Sequence, residues 1–380
     1  MSNALSVEVH SKLVPVQDND WCRLFPESPD PVELVRLVEK SGFNGFVFHS
    51  LVVRLEDRPI LVLPLFETRY HLTEALGGLA GKVGGVLDRW FPNLLQLRIL
   101  GVGVVESEWG EIGVDVTMAP EVLREAWKMA LESLDALADG LCAKLLVWVN
   151  FTLQSGRMIP VQEMMRGYAA MPGVPCQVVP IRHDHLESYL ESLSKATRKD
   201  MRRKLREAEP VVILRPLDPR PWLDAIKVLY QRTFHAAEFT FGEHRRLYFE
   251  SVMQDVPGAQ YVLYLLDGQL VAFNLVIYRE QVLVDKYFCM DSDCGRQYNL
   301  YFLSWMENIR YCMENHIPLY HAGPGAEDVK ARLKAESIPS EILFKHRNPF
   351  IQGGLASLRR WGAYSPKIKI PRAKMGVGWL

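Results

Sequence analysis

Apolar residues recur at intervals of three and four positions in several segments of the chain, which predicts amphipathic helices. The segment 31–43 shows this spacing between Pro31, which suits a first helical turn, and Gly42, which suits a helix end. A helix over 120–140 ends at Gly140 by the same argument, and one long helix over 185–209 is stopped by Pro210. Further helices are predicted over 221–236, 244–256, 298–316 and 327–336.

Runs of β-branched and aromatic residues predict the strands. Segments 45–55 and 60–70 form one predicted hairpin around a turn at 56–59. Segment 259–291 predicts three consecutive strands, the first two joined by Asp267-Gly268, a strong hairpin signal. Single strands are predicted over 94–105, 143–151, 177–182, 211–217, 317–325 and 340–347.

The chain is long enough for two domains, because 380 residues exceed the usual size of one. Segments 46–66 and 261–277 both read strand, acidic turn, strand, and each is followed by a helix and a buried strand. A Pro- and Gly-bearing stretch at 172–175 marks the predicted boundary. We therefore predict an N-terminal lobe over 1–172, a C-terminal lobe over 173–352 and a basic C-terminal tail over 353–380.

Charge and cysteine content narrow the function classes. Basic and acidic side chains number 44 and 45, so the chain lacks the overall basic excess of a dedicated duplex nucleic-acid binder. Six cysteines include no CxxC pair, and His183-Asp184-His185 lacks a third ligand and better fits a turn and helix cap. We expect reduced thiols and no metal site. Without a signal peptide or an apolar stretch long enough to span a bilayer, a cytoplasmic location without a membrane span is expected.

Three ordered segments carry a resemblance to a known family: the basic helix within 192–209, the hairpin and third strand over 265–291, and the Gly-rich loop with a short helix over 321–340. Together they resemble the FemAB-like group of the GNAT acyltransferase superfamily. The resemblance implies an α/β protein of two GNAT-like lobes, each a mixed central sheet flanked by helices. The C-terminal lobe and the cleft between the lobes would hold the site.

The implied reaction moves an acyl or aminoacyl group onto an amine-bearing small molecule or peptide, forming an amide. Acyl-CoA, acyl carrier protein or aminoacyl-tRNA would be the co-substrate, with no tightly bound cofactor. A tRNA or a carrier protein would then be a partner. The alternative is a non-catalytic module on a degenerate GNAT fold that binds a small molecule or a cell-wall precursor, because fold does not fix function.

Amide formation needs a base for the ammonium and a group that stabilises the oxyanion. Asp285, His321 and Glu327 are the predicted catalytic residues, since they lie where the GNAT-like strands should part. Asp285 and its neighbour Lys286 must point to opposite faces of their strand, so one meets the cleft. Ordinary strand-edge ion pairs and a structural histidine are the competing interpretations.

Donor phosphates require cations or free backbone N–H groups. The helix residues Arg198, Arg202 and Arg203 are predicted to bind them, although nearby acids could pair with this surface instead. Where GNAT enzymes carry an Arg/Gln-x-x-Gly-x-Gly/Ala loop, residues 294–299 have one glycine and bulky neighbours. That departure favours a donor other than plain acetyl-CoA. The remaining predicted donor ligands are Arg296, Asn299 and Lys330.

Overall fold

A computed structural model of the chain describes residues 5–26, 28–71, 96–107, 109–152, 167–236, 242–279, 281–349 and 351–353. The described residues form two compact units. The first comprises the described parts of 1–28, 38–173 and 340–368, and the second comprises 29–37 and 174–339. The glycine-punctuated segment 77–85 and the basic tail beyond Gly353 lie outside the described residues.

The first unit is built on a mixed sheet. Its strands are β1 (Leu5–His10), β2 (Phe46–Leu55), β3 (Arg58–His71), β4 (Gln96–Val102), β5 (Gly113–Val114), β6 (Leu145–Thr152), β7 (Ala169–Pro172) and β15 (Ser340–His346). Their order is β1-β2-β3-β4-β6-β15-β7, with β5 beside β3, and β4 runs parallel to β6. The N-terminal helices are α1 (Asp18–Leu24) and α2 (Val32–Ser41). Helix α3 (Pro120–Gly140) buries Trp127 and Leu134 in the core that contains Trp148 of β6.

The second unit holds another mixed sheet, whose order is β14-β8-β13-β12-β11-β10-β9. Its strands are β8 (Cys176–Pro180), β9 (Val212–Leu214), β10 (Ala259–Leu266), β11 (Gln269–Arg279), β12 (Val282–Met290), β13 (Leu319–Pro324) and β14 (Glu336–Ile338). Its helices are α4 (Leu186–Ser192), α5 (Lys195–Glu207), α6 (Leu223–Ala236), α7 (Arg246–Asp255), α8 (Ser292–Gln297), α9 (Leu300–Glu314) and α10 (Glu327–Arg332). Helices α4, α5 and α9 share one apolar core with the sheet. Helix α6 packs on β11 and β12, and α7 packs on β10.

The predicted mixed α/β class with two lobes is confirmed, as are both hairpins. At the turn between β10 and β11, Asp267 and Gly268 have φ angles of 49° and 76°. Both central residues therefore adopt the left-handed conformation that a type I′ hairpin turn requires.

The single long helix predicted over 185–209 is wrong. The structure has α4 and α5 there, separated at Leu193, whose backbone is extended. Ser194 begins the second helix as its N-cap, because its hydroxyl oxygen accepts the backbone N–H of Thr197 at 3.2 Å. The spacing of apolar residues alone predicts one continuous helix, whereas the Ser194 cap begins a second helix within that segment.

The last predicted strand joins a sheet that the sequence did not indicate. Strand β15 was placed with the C-terminal lobe, yet it pairs with β6 and β7 of the first unit. Strand periodicity fixes which face of a strand is apolar but not which sheet it enters. The lobe boundaries drawn from sequence stay a prediction.

A buried ion pair fastens the segment 29–37 within the second unit. Lys286 Nζ on β12 lies 2.8 Å from Asp30 Oδ1, and both side chains are about 2% exposed. Arg279 at the end of β11 also donates to the backbone oxygen of Asp30 at 2.8 Å. A buried charge is tolerated when it is paired, and removing one partner leaves the other charge buried and uncompensated.

We expect Asp30→Ala to lower the free energy of unfolding by about 3 kcal/mol, because Lys286 keeps its charge in a dry site. The matched control is Asp218→Ala, which removes the exposed partner of Arg220 and should change stability little. Urea unfolding of both variants measures the difference. Equal losses in the two variants would contradict the assignment of the pair as a structural tie.

Candidate functional site

The central parallel strands of the second unit part after three residues. Val282–Val284 of β12 pairs with Leu319–His321 of β13, and no further pair joins the described residues of these two strands. On the other edge of β12, the register shifts at a bulge, so that Asp285 faces Val276 while Tyr287 faces Leu275. Bulges bend a strand and strengthen its twist. The sheet therefore opens at Asp285.

Three buried side chains hold the carboxylate of Asp285. Asn274 Nδ2 donates to Oδ1 at 2.9 Å, Asn308 Nδ2 to Oδ2 at 3.0 Å, and Tyr320 Oη to Oδ2 at 2.9 Å. Burial raises the pKa of Tyr320 well above its ordinary value, so the phenol stays protonated as a donor. Hydrogen bonds to a carboxylate favour its ionised form. These three donors consequently fix the position of the Asp285 carboxylate at the opening.

The residues after Asp285 face the other side of the sheet. Asp285 meets Asn308 of α9, whereas Lys286 meets Asp30, so the predicted divergence of these two side chains is confirmed. Tyr287 packs against rings from α6 and α7. The bulge thus separates an anionic side from an aromatic side over three consecutive residues.

The other predicted catalytic residues have different surroundings. His321 is fully buried, and its Nε2 lies 3.0 Å from Cys176 Sγ on β8. Glu327 is exposed in the first turn of α10. Asp285 follows the last pair of β12 with β13 and has described donors around it, and catalytic roles for all three residues stay predictions.

Lys330 has a role that its sequence position did not reveal. Its Nζ donates to the backbone oxygens of Ala322, Gly323 and Pro324 at 2.7, 3.1 and 3.0 Å. The residue is 4% exposed although helix spacing suggested a solvated face. The ammonium therefore fixes the end of β13, and its contact with a donor stays a prediction.

The helix end that follows β12 is capped by its own chain. Asp291 accepts the N–H groups of Asp293 and Cys294 at 3.0 and 3.1 Å. Arg296 donates to Asp293 at 2.7 Å, and Asn299 donates to Glu207 at 2.8 Å. Helix N-termini attract anions through such N–H groups. A carboxylate of the protein already occupies this one, and donor binding by Arg296 and Asn299 stays a prediction.

A basic groove lies between α4 and α5, with a volume of about 720 Å³. Its floor is apolar and its rim is cationic. The groove residues are Leu186, Glu187, Leu190, Lys195, Arg198, Lys199, Arg202, Leu205 and Arg206. Arg202 pairs with Glu187, and Arg198 donates to the backbone of Glu191 at 2.9 Å.

Within the described part of the chain, Lys195, Lys199 and Arg206 form no ion pair. Arg203, by contrast, pairs with Asp200 and Glu207 at 2.7 Å each and does not line the groove. The groove therefore presents three cations, Lys195, Lys199 and Arg206, that no acid of the described residues neutralises. Outside the groove, a cation of α5 such as Arg203 is paired with acids.

The sequence reasoning missed the residues that fix the carboxylate. Asn274 and Asn308 have no exposed surface, and Tyr320 is 1% exposed, so each looked like an ordinary core position. An asparagine inside an apolar strand was the available signal. His185, conversely, caps α4 as predicted, since its Nδ1 accepts the N–H of Ser188 at 3.1 Å.

The described residues contain no helix that is long and apolar enough to cross a membrane. They also hold no group of three or more His, Cys, Asp or Glu side chains arranged to bind a metal ion.

Residues 195–331 match the family model described as Acetyltransferase (GNAT) domain. The matched segment runs from the start of α5 through α10 and contains the opening between β12 and β13. This segment is therefore similar to a GNAT acetyltransferase domain, and the match covers less than half of the chain. No curated protein resembles the sequence significantly.

Solved structures extend the likeness over both units. The crystal structure of FemX aligns with a TM-score of 0.54 at 11% identity, covering 92% of this chain and 100% of that one. The C-terminal domain of a protein described as a lysylphosphatidylglycerol synthetase from Agrobacterium fabrum aligns with a TM-score of 0.51 at 11% identity, covering 91% and 96%. At such identities the likeness shows the fold, which is the FemX-like fold expected from the sequence.

The Asp291 cap has a pH signature. Hydrogen bonds from the backbone N–H of Cys294 and, less strongly, of Asp293 hold the pKa of Asp291 below its ordinary value. A carboxylate with a depressed folded-state pKa adds stability above its unfolded pKa and loses it as pH falls through the folded one.

We therefore expect Asp291→Ala to cost about 1 kcal/mol at neutral pH, with the deficit shrinking in acid. Asp291→Asn keeps a capping oxygen without the charge, so it should lose less than the alanine variant at neutral pH. Denaturant unfolding from neutral pH to the acid range tests this. An alanine deficit of constant size across that range would refute the capping role.

Proposed function

We propose that this protein transfers an acyl or aminoacyl group from a phosphate-bearing donor to a primary amine, with the chemistry in the second unit. The observation that most supports this proposal is the opening between β12 and β13 beside the Asp285 carboxylate. It lies inside the segment that matches the GNAT model. The product would be an amide.

The opening offers both parts of a transfer site. Strands that part leave backbone N–H and C=O groups that an extended, amide-bearing ligand can pair with. The amine nitrogen would attack the donor carbonyl carbon, so that a C–N bond forms and a C–S or C–O bond breaks. Asp285 would attract the incoming ammonium and orient it, while the donor carbonyl lies along the strand edges.

The basic groove supplies a binding surface for donor phosphates. Lys195, Lys199 and Arg206 lack local ion-pair partners, and Arg198 and Arg202 complete a cationic rim around an apolar floor. Cations bind phosphate oxygens through charge-assisted hydrogen bonds. The shared chemistry is a polyphosphate or phosphodiester, whether of CoA or of a tRNA. Asp291 already accepts two N–H groups at the start of α8, which supports a phosphate site in the groove instead of at that helix start.

In the described residues of the first unit, the chain itself covers the edge beyond the parallel pair of β4 and β6. Beyond its parallel pair, Asn150 of β6 accepts the N–H of Gly110 at 2.6 Å and donates to the backbone oxygen of Ser107 at 2.8 Å. Ser107 is buried and donates to the buried carboxylate of Glu111 at 2.9 Å. The chain itself thus pairs with the strand edge, which supports one donor site per molecule.

A thermal-shift screen against acetyl-CoA, longer acyl-CoAs and bulk aminoacyl-tRNA identifies the donor, since a ligand of the folded state raises the melting temperature. We expect a shift with one of these classes. If none raises it and no amide product forms, transfer from these donors is refuted, and the non-catalytic binding module takes its place.

The groove makes a charge-specific prediction. Lys199→Glu with Arg206→Glu should weaken binding of the shifting ligand at least ten-fold. For a tRNA, the salt dependence should flatten by roughly 0.7 to 0.9 in log–log slope per lost phosphate contact. The control is Arg203→Glu, which makes the same kind of charge change on α5 outside the groove. Titrations at several salt concentrations decide between them, and equal weakening by Arg203→Glu would remove the groove from the donor site.

Calorimetric titration with the same ligand should give one site per chain, because only the second unit presents an open strand pair. Substituting Asp285 by Asn should leave donor affinity near its native value while lowering turnover, because the carboxylate faces the acceptor. A stoichiometry of two would contradict the closed state of the first unit.

A further inference from the structure

A histidine–tyrosine pair lies on the aromatic side of β12, two residues beyond Asp285. His244 Nε2 is 2.9 Å from Tyr287 Oη. His244 is 4% exposed, whereas Tyr287 is half-buried. The pair therefore joins a buried ring nitrogen to the hydroxyl of a half-buried residue on β12, three residues beyond the last pair of β12 with β13.

The surrounding rings fix the orientation of this histidine. Its ring stacks on Tyr248 of α7 with centroids 3.8 Å apart and planes inclined by 21°. Tyr230 of α6 accepts the backbone N–H of His244 at 3.0 Å, and Phe249 lies edge-on to the imidazole. Such contacts leave the ring little freedom to turn away from Tyr287. The geometry is that of a preset proton pathway.

We infer that Tyr287 and His244 form the proton relay that deprotonates the acceptor amine, an inference that rests on the proposed function. The ammonium gives a proton to Tyr287 Oη as the phenol passes its own proton to His244 Nε2. The amine lone pair then forms the C–N bond as the C–S or C–O bond to the donor breaks, and the second proton of the attacking nitrogen passes to the leaving thiolate or alkoxide. His244 ends as imidazolium and returns its proton to solvent.

Asp285 faces the α9 side of β12 and is not part of this relay. It already accepts hydrogen bonds from Asn274, Asn308 and Tyr320, so we assign it to drawing the ammonium towards the opening and not to the deprotonation. Imidazole is the side chain that enzymes use most often as a general base. The rings that face His244 from α6, α7 and β12 are those of Tyr230, Tyr248, Phe249 and Tyr287, and Glu243 and Arg245 flank it in the sequence.

The relay is tested by acceptors of different basicity. An alkylamine such as ethylamine is protonated at neutral pH, as a lysine side chain is, and needs a base. Hydroxylamine is largely neutral there and does not. With acetyl-CoA or aminoacyl-tRNA as the donor probe, Tyr287→Phe and His244→Gln should lower amide formation with ethylamine about 100-fold or more. Their loss with hydroxylamine should be far smaller.

Tyr261→Phe is the matched control. It removes a buried hydroxyl that donates to the backbone of Phe249 at 2.9 Å, in the same helix and sheet layer, without a titrating partner. It should leave the ratio of the two acceptor rates unchanged. Equal losses with both acceptors in Tyr287→Phe would overturn the relay, because a merely structural residue slows both reactions alike.

Nuclear magnetic resonance judges the pair independently of turnover. In protein labelled with ¹⁵N-histidine, His244 Nε2 should be unprotonated at neutral pH, and its signal should move in Tyr287→Phe. A proton found on Nε2 would overturn the relay, since that nitrogen could not then accept one from Tyr287. If the native protein makes no amide with either acceptor, the proposed function falls, while this spectrum still decides on the pair.

Discussion

The second unit depends on a parallel strand pair that separates after three residues. Strands β12 and β13 are bonded over Val282–Val284, and a bulge on the other edge turns β12 at the next residues. Backbone groups cannot be left unpaired in a dry core, so such an opening has to be filled by solvent, by ligand or by the chain itself. In the described part of the first unit, the chain itself fills this role through Gly110 and Asn150.

The bulge at Lys286 also organises the charges. It lets three consecutive residues serve separate purposes: Asp285 meets amide and phenol donors, Lys286 meets Asp30, and Tyr287 meets His244. A regular strand would have returned Asp285 and Tyr287 to one face. The bulge therefore directs the side chains of Asp285 and Tyr287 to different faces of the sheet.

Periodic patterns in the sequence predicted most of the elements, because apolar spacing and turn residues act locally. Helix α3 and the Asp267-Gly268 hairpin are examples. The break at Leu193 and the sheet entered by β15 depended instead on a capping serine and on long-range pairing. The residues of the candidate site likewise differ in whether a local pattern could identify them. Asp285 could be selected as a charged residue in a strand, whereas Asn274, Asn308 and His244 derive their importance from partners distant in sequence.

Phosphate binding shows why a motif must be judged by its contacts. The helix that follows β12 has the position at which a phosphate would meet free N–H groups, but Asp291 already accepts two of them. A second anion there would face both a carboxylate and filled donors. In the groove of α5, Lys195, Lys199 and Arg206 have no acidic partner among the described residues, and Glu187 is the acid that lines the groove there. The described charges therefore support the proposed donor site along α5 over one at the start of α8.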